Sequence, residues 1–161
     1  MLLVSNVHER EFAATLDELG ALLDTLAGPH DQVWPTNWPR LRLDRGLVEG
    51  SSGGHGPIRY RLTHYDQGRQ VEFRFDPAIG AEGTHSFEVL PGSRPGRAVL
   101  RHTLLLRPTS LSMRVGWPVA VRWLHDALLE DLLDRVERSL GLTPARPSAS
   151  SLYVRALRLG L

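Results

Sequence analysis

From Ile58 to Arg107 the chain alternates apolar and charged residues almost without a break, in runs separated by short turn-forming segments. The runs are Ile58–Asp66, Gln70–Asp76, Thr84–Leu90 and Ala98–Arg107. One face collects Ile58, Tyr60, Leu62 and His64, then Val71, Phe73 and Phe75, then His85, Phe87 and Val89, then Leu100, His102, Leu104 and Leu106. The other collects Arg59, Arg61, Glu72, Arg74, Glu88, Arg101 and Arg107. Sorting with a period of two predicts an antiparallel sheet with one dry and one wet face. Gln67-Gly68 predicts a tight hairpin, Pro91–Gly96 a looser one, and Pro77–Gly83 a link able to bow over a cavity mouth.

A dry sheet face needs a cover, and the longest apolar stripe lies just after the strands. Val121, Leu124, Leu128, Leu132, Val136 and Leu140 recur at spacings of three and four, predicting a helix over Pro118–Leu140. Such a helix reaches about 35 Å, enough to cross the sheet. Asp131 with Arg135 and Asp134 with Arg138 make i,i+4 pairs that solubilise its outer side.

Before the strands, Val4–Phe12 predicts a first strand with Val7 and Phe12 facing in. Thr15-Leu16-Asp17-Glu18 is a capping box. Leu16, Leu19, Leu23 and Leu26 continue it as a helix that Gly28-Pro29 ends. Val33–Pro39, with Trp34 and Trp38, is an aromatic connector whose prolines exclude a long helix. Leu41–Glu49 predicts a further strand, and Gly50–Pro57 a flexible loop. Thr143–Ser151 reads as a linker, and Leu152–Leu161 as a docked or frayed tail rather than a membrane anchor. The expected organisation is one domain over 1–142 followed by a linker and tail over 143–161.

A net charge of +1 gives no electrostatic case for nucleic acid or an anionic membrane. The absence of cysteine excludes disulfides and thiolate chemistry, and every basic residue is arginine, which excludes a Schiff-base lysine. The segment Met1–Asn6 has neither the basic flank nor the apolar run of a signal peptide, and no stretch approaches bilayer length, so a cytoplasmic location is expected.

The leading strand, the capped helix with Leu22-Leu23-Asp24, the Trp34-Pro35 connector, the strand meander and the closing helix His125–Leu140 resemble the START-like, helix-grip superfamily (SRPBCC). That superfamily includes the birch-pollen allergen fold and bacterial polyketide cyclase/dehydrase-like proteins. The resemblance covers Val4–Leu140. It implies an α+β helix-grip fold, a curved antiparallel sheet of six to seven strands wrapped on a long C-terminal helix. It further implies a ligand cavity between the two layers. The superfamily has no universal catalytic motif, so the resemblance transfers no catalytic residue.

Gly50-Ser51-Ser52-Gly53-Gly54 matches G-x-S-x-G, but a nucleophile elbow needs a strand before the serine and a helix after it. Here Gly56-Pro57 and another strand follow, so the segment reads as a rim loop. His64, His85 and His102 fall on the dry face, where imidazole serves as a hydrogen-bonding group or a general acid/base. They lack metal-ligand spacing, and neither a metal nor a cofactor is assigned. His55 reads as exposed, and His125-Asp126 is not a dyad, because neighbours on a helix point about 100° apart. Trp34, Trp38, Trp117 and Trp123 are candidates for stacking or for plugging the core, and Arg42 or Arg114 for clamping an acidic group.

The expected function is binding of an apolar or aromatic small molecule. Tyr60, Phe73, Phe75, Phe87, Leu124 and Leu128 would hold it, and His64, His85 or His102 would orient it. The alternatives are a polyketide cyclase/dehydratase-like enzyme with a pocket histidine as general acid/base, and an interaction protein with a filled core. A monomer or homodimer is expected.

Overall fold

The computed structural model describes residues 3–160, so Leu161, at the end of the expected tail, lies outside the described residues. Seven strands form one antiparallel sheet in the order β1-β7-β6-β5-β4-β3-β2. They are β1 Val4–Phe12, β2 Arg42–Leu43, β3 Ser52–His55, β4 Ile58–Asp66, β5 Gln70–Phe75, β6 Ala81–Pro91 and β7 Ala98–Pro108. From β2 to β7 each strand pairs with its successor, while β1 closes the far edge against β7. The sheet curves around the C-terminal helical segment.

That segment is continuous but not uniform. α2 (Leu111–Gly116) passes through a π-helical turn at Trp117–Val121 into α3 (Arg122–Ser139). Arg122 N–H donates to the carbonyl of Trp117, five residues back. Pro118 explains the widened turn: it has no N–H to donate, and its ring crowds the preceding carbonyls. The helix therefore begins seven residues before Pro118, where the sequence reading placed its start, with the Ser110 side chain accepting from Met113 N–H as its cap.

The first helix, α1 (Leu16–Leu23), carries the expected capping box, with the Thr15 and Glu18 side chains each bonded to the other's backbone amide. The left-handed residue after it is Ala27 rather than Gly28. Asp24 Oδ1 ties its end to the β4–β5 hairpin, accepting from Tyr65 Oη at 2.9 Å and Gly68 N–H at 2.8 Å. Leu19, Leu23, Phe12, Leu62, Phe73, Leu129 and Leu132 are fully buried between α1, the sheet and α3.

Four local readings are corrected. Val7 lies on the outer face of β1, half exposed, because period-two alternation cannot turn Val7 and Phe12 the same way. The strand expected over Leu41–Glu49 is only Arg42–Leu43, and the supposed loop supplies β3 instead. There Gly53 and Gly54 lie so close to the backbones of β2 and β4 that a Cβ would collide with the carbonyls of Arg42 and Ile58. Asp131 and Asp134 do not form a solvated outer face. Asp134 is buried against Arg10 of β1, and Asp131 accepts from Trp38 Nε1 at 2.7 Å.

After 143–151 the chain forms a fourth helix, α4 (Leu152–Arg158), capped by Ser151 and docked on the molecule. Val154 is buried, Tyr153 Oη donates to the carbonyl of Val119, and the Arg158 guanidinium sits 4.3 Å above the Trp38 ring. No helix among the described residues is long and apolar enough to cross a membrane.

Candidate functional site: a histidine-lined cavity

Between the concave sheet face and the helix lies a cavity of about 240 Å³. The sheet contributes Ile58, Phe75, His85, Phe87, His102, Leu104 and Leu106. The helix contributes Met113, Trp117, Val121, Leu124, His125, Leu128 and Leu129. Trp34, Trp38 and Pro39 of the connector and His55 at the end of β3 complete the lining, with Gly56, Pro57 and Ile79. Among the described residues, no aspartate, glutamate or arginine lines it.

Four of these residues are histidines, and strand register explains the central pair. His85 of β6 and His102 of β7 sit on one face of adjacent strands, because Phe87 is directly opposite His102 and Leu104 opposite His85. His102 Nε2 and His85 Nδ1 approach to 3.3 Å. The His85 ring stacks on Phe73 and Phe75 at 4.9 and 5.1 Å, and His102 meets Phe87 edge to face at 4.7 Å. His125 of α3 reaches His102 from above, 5.2 Å between ring centroids. His85 Nε2, His102 Nδ1 and both nitrogens of His125 are buried without a hydrogen-bond partner, as is Tyr60 Oη.

Burial disfavours the imidazolium, and the neighbouring histidines add to that effect. His85 and His102 are pushed well below the ordinary histidine range. Burial also lowers His125, only partly countered by Asp126, and lowers His55 to about 4. The cavity is therefore lined by neutral imidazoles at pH 7. Burial pushes the Tyr60 phenol well above its usual value, so it too is neutral.

Of the residues expected to bind a ligand, Phe75, His85, Phe87, His102, Leu124 and Leu128 line the cavity. Tyr60 and Phe73 are buried just behind them, each within 5 Å of the His85 ring. His64 is not on this face. A bulge at Thr63 breaks the β4–β5 register between Leu62 and His64, so His64 pairs with Glu72 and turns outward. It is about half exposed, with Nδ1 3.3 Å from Glu49. The same bulge brings Tyr65 inward, where it packs against the core.

Sequence reasoning missed His55 and His125 as wall residues. His55 sits among glycines that read as loop, and its ring lies 4.8 Å from Trp34. Trp34 and Trp38 donate their indole N–H groups to Pro39 O and Asp131, so toward the cavity they offer only apolar surface. Trp117 also lines the cavity, whereas Trp123 is exposed on the far side of the helix. Arg42 and Arg114 are not part of the lining, and Ser52 is an exposed strand residue with no elbow around it.

Neither a protein-family profile nor a curated protein sequence matches the chain. Its fold, however, is shared by solved structures. The X-ray structure of norcoclaurine synthase from Thalictrum flavum, in complex with dopamine and hydroxybenzaldehyde, is similar with a TM-score of 0.66 at 12% identity. That match covers 90% of this chain and 90% of the enzyme. A Thermobifida fusca protein solved by NMR gives a TM-score of 0.62 at 17% identity, covering 88% of this chain and 98% of that one. CalU16 from Micromonospora echinospora gives 0.58 at 14% identity, covering 97% and 82%. With its curved antiparallel sheet closed on a long C-terminal helix, the chain has the START-like helix-grip fold.

Proposed function

We propose that this protein binds a small, uncharged, predominantly aromatic molecule in the cavity, oriented by His85 and His102. The observation that carries this reading is their contact at 3.3 Å between otherwise apolar walls. For two neutral imidazoles, one of the facing nitrogens must donate and the other accept. If His102 Nε2 donates, His85 Nε2 carries a proton and His102 Nδ1 a lone pair; the opposite choice swaps these roles. Either way the pair leaves one donor and one acceptor free, which suits a hydroxyl or a carbonyl.

The uncharged lining argues against an ionic ligand, since a buried unpaired charge is costly. Size limits the ligand to about one substituted ring: an engineered apolar cavity of about 150 Å³ accommodates benzene, and this one is about 240 Å³. The norcoclaurine synthase complex holds hydroxybenzaldehyde, a ligand of that class. Imidazoles this far below their usual range are weak bases near pH 7, which favours holding a ligand over abstracting a proton.

The reading is tested by titrating the protein with hydroxybenzaldehyde, toluene and benzoate, following tryptophan fluorescence and native mass. Trp34, Trp38 and Trp117 in the wall supply the signal. Hydroxybenzaldehyde is expected to bind one per chain, toluene more weakly, and benzoate at least tenfold more weakly than hydroxybenzaldehyde. Benzoate binding best, or no neutral aromatic binding at all, would refute it.

A further inference from the structure

At the edge of the sheet, β1 turns Asn6, His8 and Arg10 toward α3 where apolar residues would be expected. His8 stands between two carboxylates one helical turn apart. Its Nε2 is 3.0 Å from Asp126 Oδ1 and its Nδ1 is 3.0 Å from Glu130 Oε1. His125 approaches from the cavity side, its ring centroid 5.9 Å from that of His8. Its Nδ1 is 3.7 Å from the same Asp126 oxygen, too long for a hydrogen bond. Asp126 also accepts from Asn6 Nδ2 at 2.9 Å, and Arg122 Nε lies 3.6 Å from its second oxygen.

One donor atom from each of His8, His125 and Asp126 lies within 4.8 Å of the other two. Two ligands on one tetrahedral ion, each at ~2.0–2.2 Å, are ~3.3–3.6 Å apart. The two separations from Asp126, 3.0 Å to His8 and 3.7 Å to His125, bracket that spacing. Two further observations support a ligand here. Both nitrogens of His125 are buried without a hydrogen bond, which is uncommon for buried polar groups. Glu130 holds the far nitrogen of His8, as outer carboxylates do for metal-bound histidines.

We propose that His8, His125 and Asp126 form a binding site for a divalent first-row transition ion at the β1–α3 seam, with Glu130 as the residue that positions His8. An ion held by Asp126 and His8 would also take up one of the two buried nitrogens of His125. Two imidazoles and one carboxylate suit zinc, cobalt or iron and leave a coordination position open. Because His125 also lines the cavity, the ion would be joined to the cavity wall through that ring. The site stands whether or not the cavity takes an aromatic ligand.

The test uses chelator-treated full-length protein titrated with Zn²⁺ and Co²⁺, read by calorimetry, native mass and the visible spectrum of Co²⁺. The expected result is one ion per chain. Affinity should fall at least 100-fold in His8→Gln and Asp126→Asn, and about tenfold in Glu130→Gln. His30→Gln and His64→Gln, at histidines outside the cluster, should leave it unchanged. Histidine ring NMR of the wild-type protein gives a measure that needs no variant to fold: of the 7 histidines, only His8 and His125 should shift on adding Zn²⁺. No stoichiometric binding, affinity unmoved by the His8 and Asp126 changes, or shifts at other histidines instead would overturn the proposal.

Discussion

Arg10 Nη1 donates to Asp134 Oδ1 at 2.7 Å, joining the edge strand β1 to a carboxylate that is 1% exposed in α3. Glu137 and Glu130 share the same guanidinium. The edge strand thus grips the helix by charge, while the rest of the sheet does so by apolar contact. Burial opposes ionisation of Asp134, but hydrogen bonds from Arg10 and Ser148 outweigh it and hold the carboxyl below its usual range.

Arg10→Ala would leave that carboxylate with only Ser148 N–H at 2.7 Å and the distant Arg138. Breaking a buried pair on one side costs about 3–5 kcal/mol, and the remaining partners reduce this to roughly 2 kcal/mol. Urea denaturation of wild type and variant measures it. A change below 0.5 kcal/mol, about the size of an exposed ion pair, would mean the grip contributes little.

Leu128→Trp fills the cavity from the helix side. Ligand binding should fall at least tenfold, while the urea midpoint shifts by no more than about 1 kcal/mol equivalent, because the added volume has space to occupy. Unfolding of the variant would point instead to a core already full.

The imidazole pair predicts a selective loss. His85→Gln or His102→Gln should weaken hydroxybenzaldehyde binding by about tenfold, the worth of one hydrogen bond, and leave toluene unchanged. Parallel titrations read the difference. Equal losses for both probes would mean that the histidines act through packing alone.

Acid should destabilise the fold earlier than carboxylate titration would. His55, His85, His102 and His125 all have folded values below the ordinary 6.5, His55 at about 4. Unfolding in that window therefore takes up protons. The stability they contribute is complete above pH 6.5 and is lost as pH falls below it, for His55, with its folded value of about 4, at about 1.4 kcal/mol per pH unit. Urea midpoints should be level from pH 8 to 7 and decline steadily from 6.5 to 4.5. A level profile down to pH 4.5 would show that these rings are solvated.

The long strands were legible because a half-buried antiparallel strand writes its two faces directly into the sequence, and β4 to β7 begin within a few residues of where alternation places them. The bulge at Thr63 was not legible: it adds one residue without changing composition, yet it moves His64 to the opposite face. β3 was hidden because Gly53 and Gly54 answer to the close approach of neighbouring backbones, and glycine ordinarily signals a loop. The site was legible where strands carry it, at His85 and His102. It was illegible at His55 and His125, whose wall positions depend on how the β3 edge and the helix pack. His8 and Asp126 meet across 118 residues of chain, a distance over which no local pattern operates.

The widened turn at Trp117–Val121 carries a further consequence. It lets Met113, before it, and Trp117, at its start, share the cavity with Leu124 and Leu128, after it. Deleting one residue there would restore regular winding and swing the upstream segment through ~100°, carrying Met113 and Trp117 off the wall while the downstream residues stayed in place. The bore of the cavity is thus governed by the number of residues in a single turn. Cavity shape in a fold of this kind would then change by insertion and deletion as readily as by substitution.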